Sequence, residues 1–234
     1  MIPLRSSIKL RRHPIRLCES RPNDISDSSM KNIKRVLAIG AHPDDIELGC
    51  GGSLAKLAEK GVEVYALILS HGDRGNVTGD DRCAETRDSL HALGVQDIVQ
   101  CGFSDTRLAE ALGDIVDAIE RECARIQPDR VYTMFREDRH QDHRTAFEAS
   151  IVACRSVPQV LCYETPSSWP NFVPTVFEDV EFSLNRKITA LKIHASQQAR
   201  AYMQENQVRC LADFRGQQIG TGPCEGFIPY RLVL

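Results

Sequence analysis

Short runs of β-branched and large apolar residues, each followed by a stretch of helical periodicity, recur along most of this chain and narrow what it can fold into. RVLAIGAH (35–42) reads as a buried parallel strand, and VEVYALILS (62–70), DIVQCGF (97–103), DRVYTMF (129–135) and QVLCYE (159–164) as further strands. Between them, GGSLAKLAEKG (51–61) places Leu54, Leu57 and Ala58 on one helical face and stops at Gly61. DRCAETRDSLHALGV (81–95) is a helix ending at Gly94, ALGDIVDAIERECARIQPDR holds a helix stopped before Pro128, and HRTAFEASIVACRSV (143–157) is another. Such alternation means βαβ units with right-handed crossovers, hence an α/β fold with a mostly parallel sheet flanked by helices. From Thr165 the pattern becomes irregular, with three prolines in PSSWPNFVPTVFEDVEF. SLNRKITALKIHASQQARAYM (183–203) predicts one long helix and FIPYRLVL a closing strand.

A length of 234 residues suits one domain with a tail. Residues 1–29 stand apart, with five Arg and one Lys against three acids and no continuous apolar core of a secretory signal. Met30 begins MKNIKRVLAIG, so residues 1–29 are expected to be a disordered or dispensable extension and residues 30–234 the domain. A net charge of -3 gives no reason to expect nucleic acid or an anionic membrane as partner, and no apolar run reaches the length of a bilayer span. Nine cysteines without a C-x-x-C pair read as reduced, buried small hydrophobes, which favours a cytoplasmic protein.

In open α/β sheets, ligands bind outside the carboxyl ends of the strands. His42-Pro43-Asp44-Asp45 follows the first strand, His71-Gly72-Asp73-Arg74-Gly75 the second, and Arg139-His140-Gln141-Asp142-His143 the fourth. Imidazoles and carboxylates suit Zn²⁺, and three protein ligands plus a water make a catalytic site. His42 and Asp45, spaced i and i+3, supply two ligands and His143 a third. Asp44 would then take a proton from the activated water. His140 would donate to a developing oxyanion or to a leaving amine, with Asp142 orienting its imidazole. Against this, an Asp pair after a strand commonly caps the next helix, and an isolated His is commonly a satisfied structural residue. His/Asp clusters at separate rim loops favour the metal. Nothing fixes a role for His71, and His13, His91 and His194 have no carboxylate company in the sequence. GCGGS (49–53) looks like a phosphate-cradling turn but lacks the G-x-G-x-x-G spacing.

AHPDDIELGCGG together with RHQDHR resembles the PIG-L/LmbE-like zinc-dependent de-N-acetylases. The similarity runs from about Ile33 to the C-terminus and takes in Arg82, Glu85, LGV (93–95), YETPSS (163–168) and the Ser-Gln at 196–197. The resemblance implies a Rossmann-like fold with its active site at the carboxyl ends of the strands. It implies Zn²⁺, with another divalent metal as the alternative, on His42, Asp45 and His143, with Asp44 as base and His140 as oxyanion stabiliser or acid. It further suggests that Arg74 or Arg82 faces substrate. Some members carry a Tyr two residues before the His140 position, where this chain has Asp138.

The implied reaction is hydrolysis of a linear amide, releasing acetate from an N-acetylated amino sugar. The expected partner is a small soluble N-acetyl sugar, nucleotide sugar or conjugate, on which Trp169 could stack. A homo-oligomer is compatible with the sequence. The alternatives are a metal hydrolase acting on another amide, and a non-catalytic sugar- or nucleotide-binding module using GCGGS, which leaves the RHQDH cluster without a role.

Overall fold

Val36 to Gly40 are buried without a break in Arg35–Gly40 (β1), as a strand covered on both faces requires. The computed structural model describes residues 33–75, 79 and 81–233, so the expected extension at 1–29 lies outside the described residues. β1 pairs in parallel with Glu63–Ser70 (β2) on one side and Arg130–Thr133 (β4) on the other. Asp97–Phe103 (β3) extends the sheet beyond β2, and Gln159–Tyr163 (β5) beyond β4. Cys224–Leu232 (β7) then runs antiparallel to β5, with Val176–Asp179 (β6) antiparallel at its outer side. The order is β3-β2-β1-β4-β5-β7-β6. Chain direction across the sheet therefore reverses at β1, and the crevice between the carboxyl ends of β1 and β4 is where such a sheet binds ligands.

The helices divide into two packed groups. Asp45–Glu59 (α1), Arg82–Leu93 (α2) and Leu184–Ile193 (α5) contact one another, and Leu112–Ile126 (α3) contacts Gln141–Ala153 (α4). Glu205–Gln217 (α6) packs on β6 and β7.

Two expectations from the sequence are corrected, and two elements, α6 and β6, are added. The first helix begins at Asp45, six residues before Gly51, so the GCGGS stretch is helix and not a phosphate turn. Its glycines serve close packing: a Cβ on Gly49 would stand 2.0 Å from Cδ2 of buried Tyr163. The single helix expected over 183–203 stops at Ile193 and continues as short 3₁₀ turns. Tertiary bonds override the periodicity there, because the imidazole of buried His194 meets Glu47 (2.8 Å) and the amide and hydroxyl of Ser196 donate to Glu85 (2.9 and 2.6 Å). Finally, α6 carries little apolar signal, burying only Val208, Ala212, Arg215 and Gly216, and β6 hides in the proline-rich stretch.

One buried ion pair fixes α1 in place. Lys187 Nζ on α5 lies 2.6 Å from Glu225 Oε1 on β7 and donates to the Leu48 carbonyl at 2.7 Å. Glu225 also accepts from the amides of Gly52 (2.9 Å) and Ser53 (2.7 Å) and from the Ser53 hydroxyl (2.6 Å). Side chains from two distant elements thus hold backbone groups of the helix whose first turn carries Asp45.

Candidate active site

The turn from β1 into α1 is tight enough to force Asp44 into the left-handed region, at φ 89°. For a non-glycine residue this costs on the order of 1–3 kcal/mol, with Asp and Asn tolerating it better than most. The Asp44 side chain makes no capping bond to α1, although it occupies the cap position. Asp45 folds back instead, and its Oδ2 accepts the His42 amide at 2.7 Å. The capping role that competes with chemistry for Asp44 is therefore not taken up.

Asp45 stands between two imidazoles. Its Oδ2 is 3.4 Å from His42 Nδ1 and its Oδ1 is 3.3 Å from His143 Nε2. The other nitrogen of each ring is held by a further carboxylate. His42 Nε2 lies 3.0 Å from Asp142 and 3.2 Å from Asp105, and His143 Nδ1 lies 3.0 Å from Asp138. Carboxylates that fix the outer nitrogens of a His pair facing a third ligand are the usual surroundings of a metal site. Asp45, Asp105, Asp138 and Asp142 are all buried, so carboxylates outnumber the two rings they contact. This surplus of buried negative charge and the donor set both fit a divalent cation. Ligand atoms of His42, His140 and His143 also lie within 4.8 Å of one another, as do those of His42, Asp105 and Asp142. The first of these triplets brings His140 to the same centre.

Charge is distributed unevenly between the adjacent acids. Burial works to raise the Asp45 carboxyl, but the His143 charge and hydrogen bonds from both rings outweigh it and hold the group well below the usual carboxylate range. Burial, reinforced by the Asp45 charge and only partly offset by His194 and Arg82, pushes Asp44 up to about 7. The neighbours are therefore driven in opposite directions, Asp45 toward its ionised form and Asp44 toward its protonated one.

His140 is half-buried, and burial together with the charges of His42 and His143 lowers its pKa. Its Nδ1 accepts the Asp142 amide at 3.2 Å, which leaves Nε2–H as the donor of a neutral ring. Here the structure departs from expectation. The Asp142 carboxylate was expected to orient His140, yet it turns to His42 and to the amides of Thr106 (2.7 Å) and Leu108 (3.2 Å) in the loop after β3. Two free amides and an imidazole give that carboxylate more partners than His140 could, and orientation of His140 falls to the Asp142 backbone.

Arg82 lines the cleft and is also engaged within the protein. It is buried, and its guanidinium donates to the carbonyls of Gly72 (2.6 Å) and Pro43 (3.0 Å), clamping two rim loops beside Asp44 (3.6 Å). Arg74 lines the cleft above the cluster, a space of about 460 Å³. Trp169 does not line it: the ring is half-exposed, and Pro166 and Ser167 from the same loop form that wall instead. His71 likewise lies outside the cleft lining. Residues missed by sequence reasoning are Asp105, which follows β3 as the rim rule could have suggested, and Gln197, Arg200 and Tyr202, which reach the cleft from the broken helix. Asp138, noted only as a departure from a family Tyr, accepts from Thr165 and Ser167 (both 2.6 Å) and holds His143.

Removing that support has a measurable consequence. Asp138→Ala is expected to weaken metal affinity by about 10–100-fold, as loss of such supporting carboxylates does. Chelator competition on purified protein reads this directly, and a change under about threefold would mean that His143 is oriented without Asp138.

Comparison with known proteins follows the same residues. A family model described as PIG-L: GlcNAc-PI de-N-acetylase matches residues 37–154, from β1 through α4. The chain is 47% identical over 175 residues to the uncharacterized deacetylase YaiS of Escherichia coli K12, a match covering 72% of this chain and 95% of that protein. It is 29% identical over 228 residues to the diacetylchitobiose deacetylase of Thermococcus kodakarensis, covering 85% and 84%. Among solved structures, the N,N'-diacetylchitobiose deacetylase of Pyrococcus horikoshii superposes with a TM-score of 0.72 at 26% identity, again covering 85% and 84%.

Proposed function

The chain belongs to the PIG-L family of de-N-acetylases, and from that premise we propose that it hydrolyses the N-acetyl amide of an amino sugar or sugar conjugate at the cleft between β1 and β4. The observation that carries this reading is the pairing of Asp45 with two carboxylate-braced imidazoles beside a buried Asp44 that makes no capping bond. His42, Asp45 and His143 would hold the metal, Zn²⁺ by donor type or another divalent cation. Bound there, such an ion would supply Lewis acidity toward the amide carbonyl and toward water.

The chain's own residues do the rest. Asp44 accepts a proton from the attacking water, and Arg82, 3.6 Å away, keeps its carboxylate beside the cluster. The Nε2–H of His140 donates to the carbonyl oxygen as negative charge develops on it. The C–N bond breaks as Asp44 or His140 returns a proton to the amine, so acetamide and water become amine and acetate. Asp105 and Asp142 keep the His42 ring in place, and Asp138 does the same for His143.

The substrate is a small N-acetyl sugar, nucleotide sugar or conjugate. No helix among the described residues is long and apolar enough to cross a membrane. A cytoplasmic, reducing location fits nine cysteines without a C-x-x-C pair.

Acetate release from a panel of N-acetyl sugars and nucleotide sugars tests the proposal. Activity is expected to disappear on dialysis against a chelator and to return with Zn²⁺ or another divalent ion. Acetate release that survives complete metal removal would end the metal reading. Cleavage of other amides without acetate release would replace the reaction.

A further inference from the structure

The cleft has a rim whose charge the hydrolytic reading leaves unused. The side chains of Arg74, Arg139 and Arg200 are exposed and line the cleft. Among the described residues, none of the three guanidiniums has a carboxylate within 4.0 Å. The acids of the cleft lie deeper and are already engaged: Asp44 with Arg82, Asp45 and Asp105 with the imidazoles.

The three arginines are placed by the fold. Arg139 is braced from the Pro166–Ser167 wall, where its Nε donates to the Ser167 carbonyl (3.2 Å) and its Nη2 to the Pro166 carbonyl (2.9 Å). Nη1 is left for a ligand. The Arg74 amide donates to Asp105 Oδ2 at 2.7 Å, and Asp105 in turn touches His42, so this turn is registered to the cluster. Arg200 follows the 3₁₀ turn at Ala195–Gln197, and Gln197 Nε2 donates to the Gly75 carbonyl at 3.3 Å, tying the Arg200 segment to the Arg74 turn. Positive groups from two separately braced segments thus line the cleft in which the acetamide would react.

We propose that the substrate carries an anionic group, phosphate or carboxylate, on the part of the molecule remote from the acetamide, and that Arg74, Arg139 and Arg200 form its binding site. This rests on the de-N-acetylase reading for the position of the acetamide. Guanidiniums pair with both anions through forked hydrogen bonds, and a cleft walled by one sign of charge concentrates ligands of the other. Neutral sugars gain nothing from such a rim.

The test compares three substrates on the metal-loaded full chain: methyl N-acetylglucosaminide, N-acetylglucosamine 1-phosphate, and an N-acetylglucosaminide whose aglycone ends in a carboxylate. At low salt, at least one anionic substrate is expected to exceed the neutral one about tenfold in kcat/KM, mainly through KM. The better of the two identifies the anion. In Arg200→Gln, and separately in Arg139→Gln, the anionic-to-neutral ratio is expected to fall several-fold. Arg200 makes no side-chain bond within the described residues, so its variant does not threaten folding. A neutral substrate equal to both anions, or a ratio unchanged in both variants, overturns the proposal. Calorimetric Kd values for the same ligands separate it from the premise. If no acetyl group is released but anions bind more tightly and lose that advantage in Arg200→Gln, the anion site stands and the hydrolytic reading falls.

Discussion

Asp44→Asn is expected to lower kcat by roughly 10²–10⁴-fold while leaving metal content unchanged. Asn keeps the shape of the side chain and tolerates the left-handed backbone at this position, so the fold has no reason to change. What disappears is a carboxylate that burial and the neighbouring Asp45 poise to exchange a proton near pH 7. Asp45→Asn is expected to do something different. It turns the group between His42 and His143 from an anion into an amide, so metal content falls along with activity. Metal analysis beside initial rates distinguishes the two variants. An emptied centre in Asp44→Asn with a loaded one in Asp45→Asn would mean the acids have the opposite roles. Near-normal turnover in a metal-loaded Asp44→Asn would place the base elsewhere.

Lys187→Met is expected to destabilise the domain by roughly 3–5 kcal/mol, the usual cost of removing one partner from a buried ion pair. For a chain of this size that corresponds to a fall in Tm of roughly 6–20 °C. Both side chains are buried, and Met fills the volume of the Lys stem without its charge. Glu225 would keep its bonds to Gly52, Ser53 and the Ser53 hydroxyl but would carry an uncompensated charge, and the Leu48 carbonyl would lose its donor. Adding Glu225→Leu removes the stranded charge, but it also leaves the Gly52 and Ser53 amides without their partner, so it should not restore stability. A Tm within 2 °C of wild type for Lys187→Met would show that water reaches and relieves the pair.

The parallel half of the sheet is readable in the sequence because its strands are buried runs and its crossover helices have clear stops. The convergence of His42, Asp45, His140 and His143 follows from the same reading, since strand ends in one sheet share a rim. What could not be read depends on contacts between remote segments. Nothing near Asp142 reveals that its carboxylate prefers amides 34 and 36 residues away to the adjacent His140. His194 has no acid beside it in sequence, yet Glu47 lies against it across 147 positions. That Arg82, besides lining the cleft, clamps the carbonyls of Gly72 and Pro43 leaves no sequence trace. α6 escapes detection because it buries too few apolar residues to set a period.

The Glu225 contacts also bear on the order of events during synthesis. Gly52 and Ser53 lie 173 and 172 residues before the carboxylate that binds their amides. β1, α1 and β2 can collapse as soon as they emerge, but the helix bearing Asp45 lacks its anchor until β7 has been made and inserted between β5 and β6. Non-local closure of this kind is slow, since the entropy of a long loop must be overcome before its contacts form. A nascent chain interrupted before residue 225 would hold the His42–Asp45 turn without the brace that fixes α1. On the proposed metal reading, tight metal capture would then wait for a complete sheet, since α1 gains its anchor only with β7.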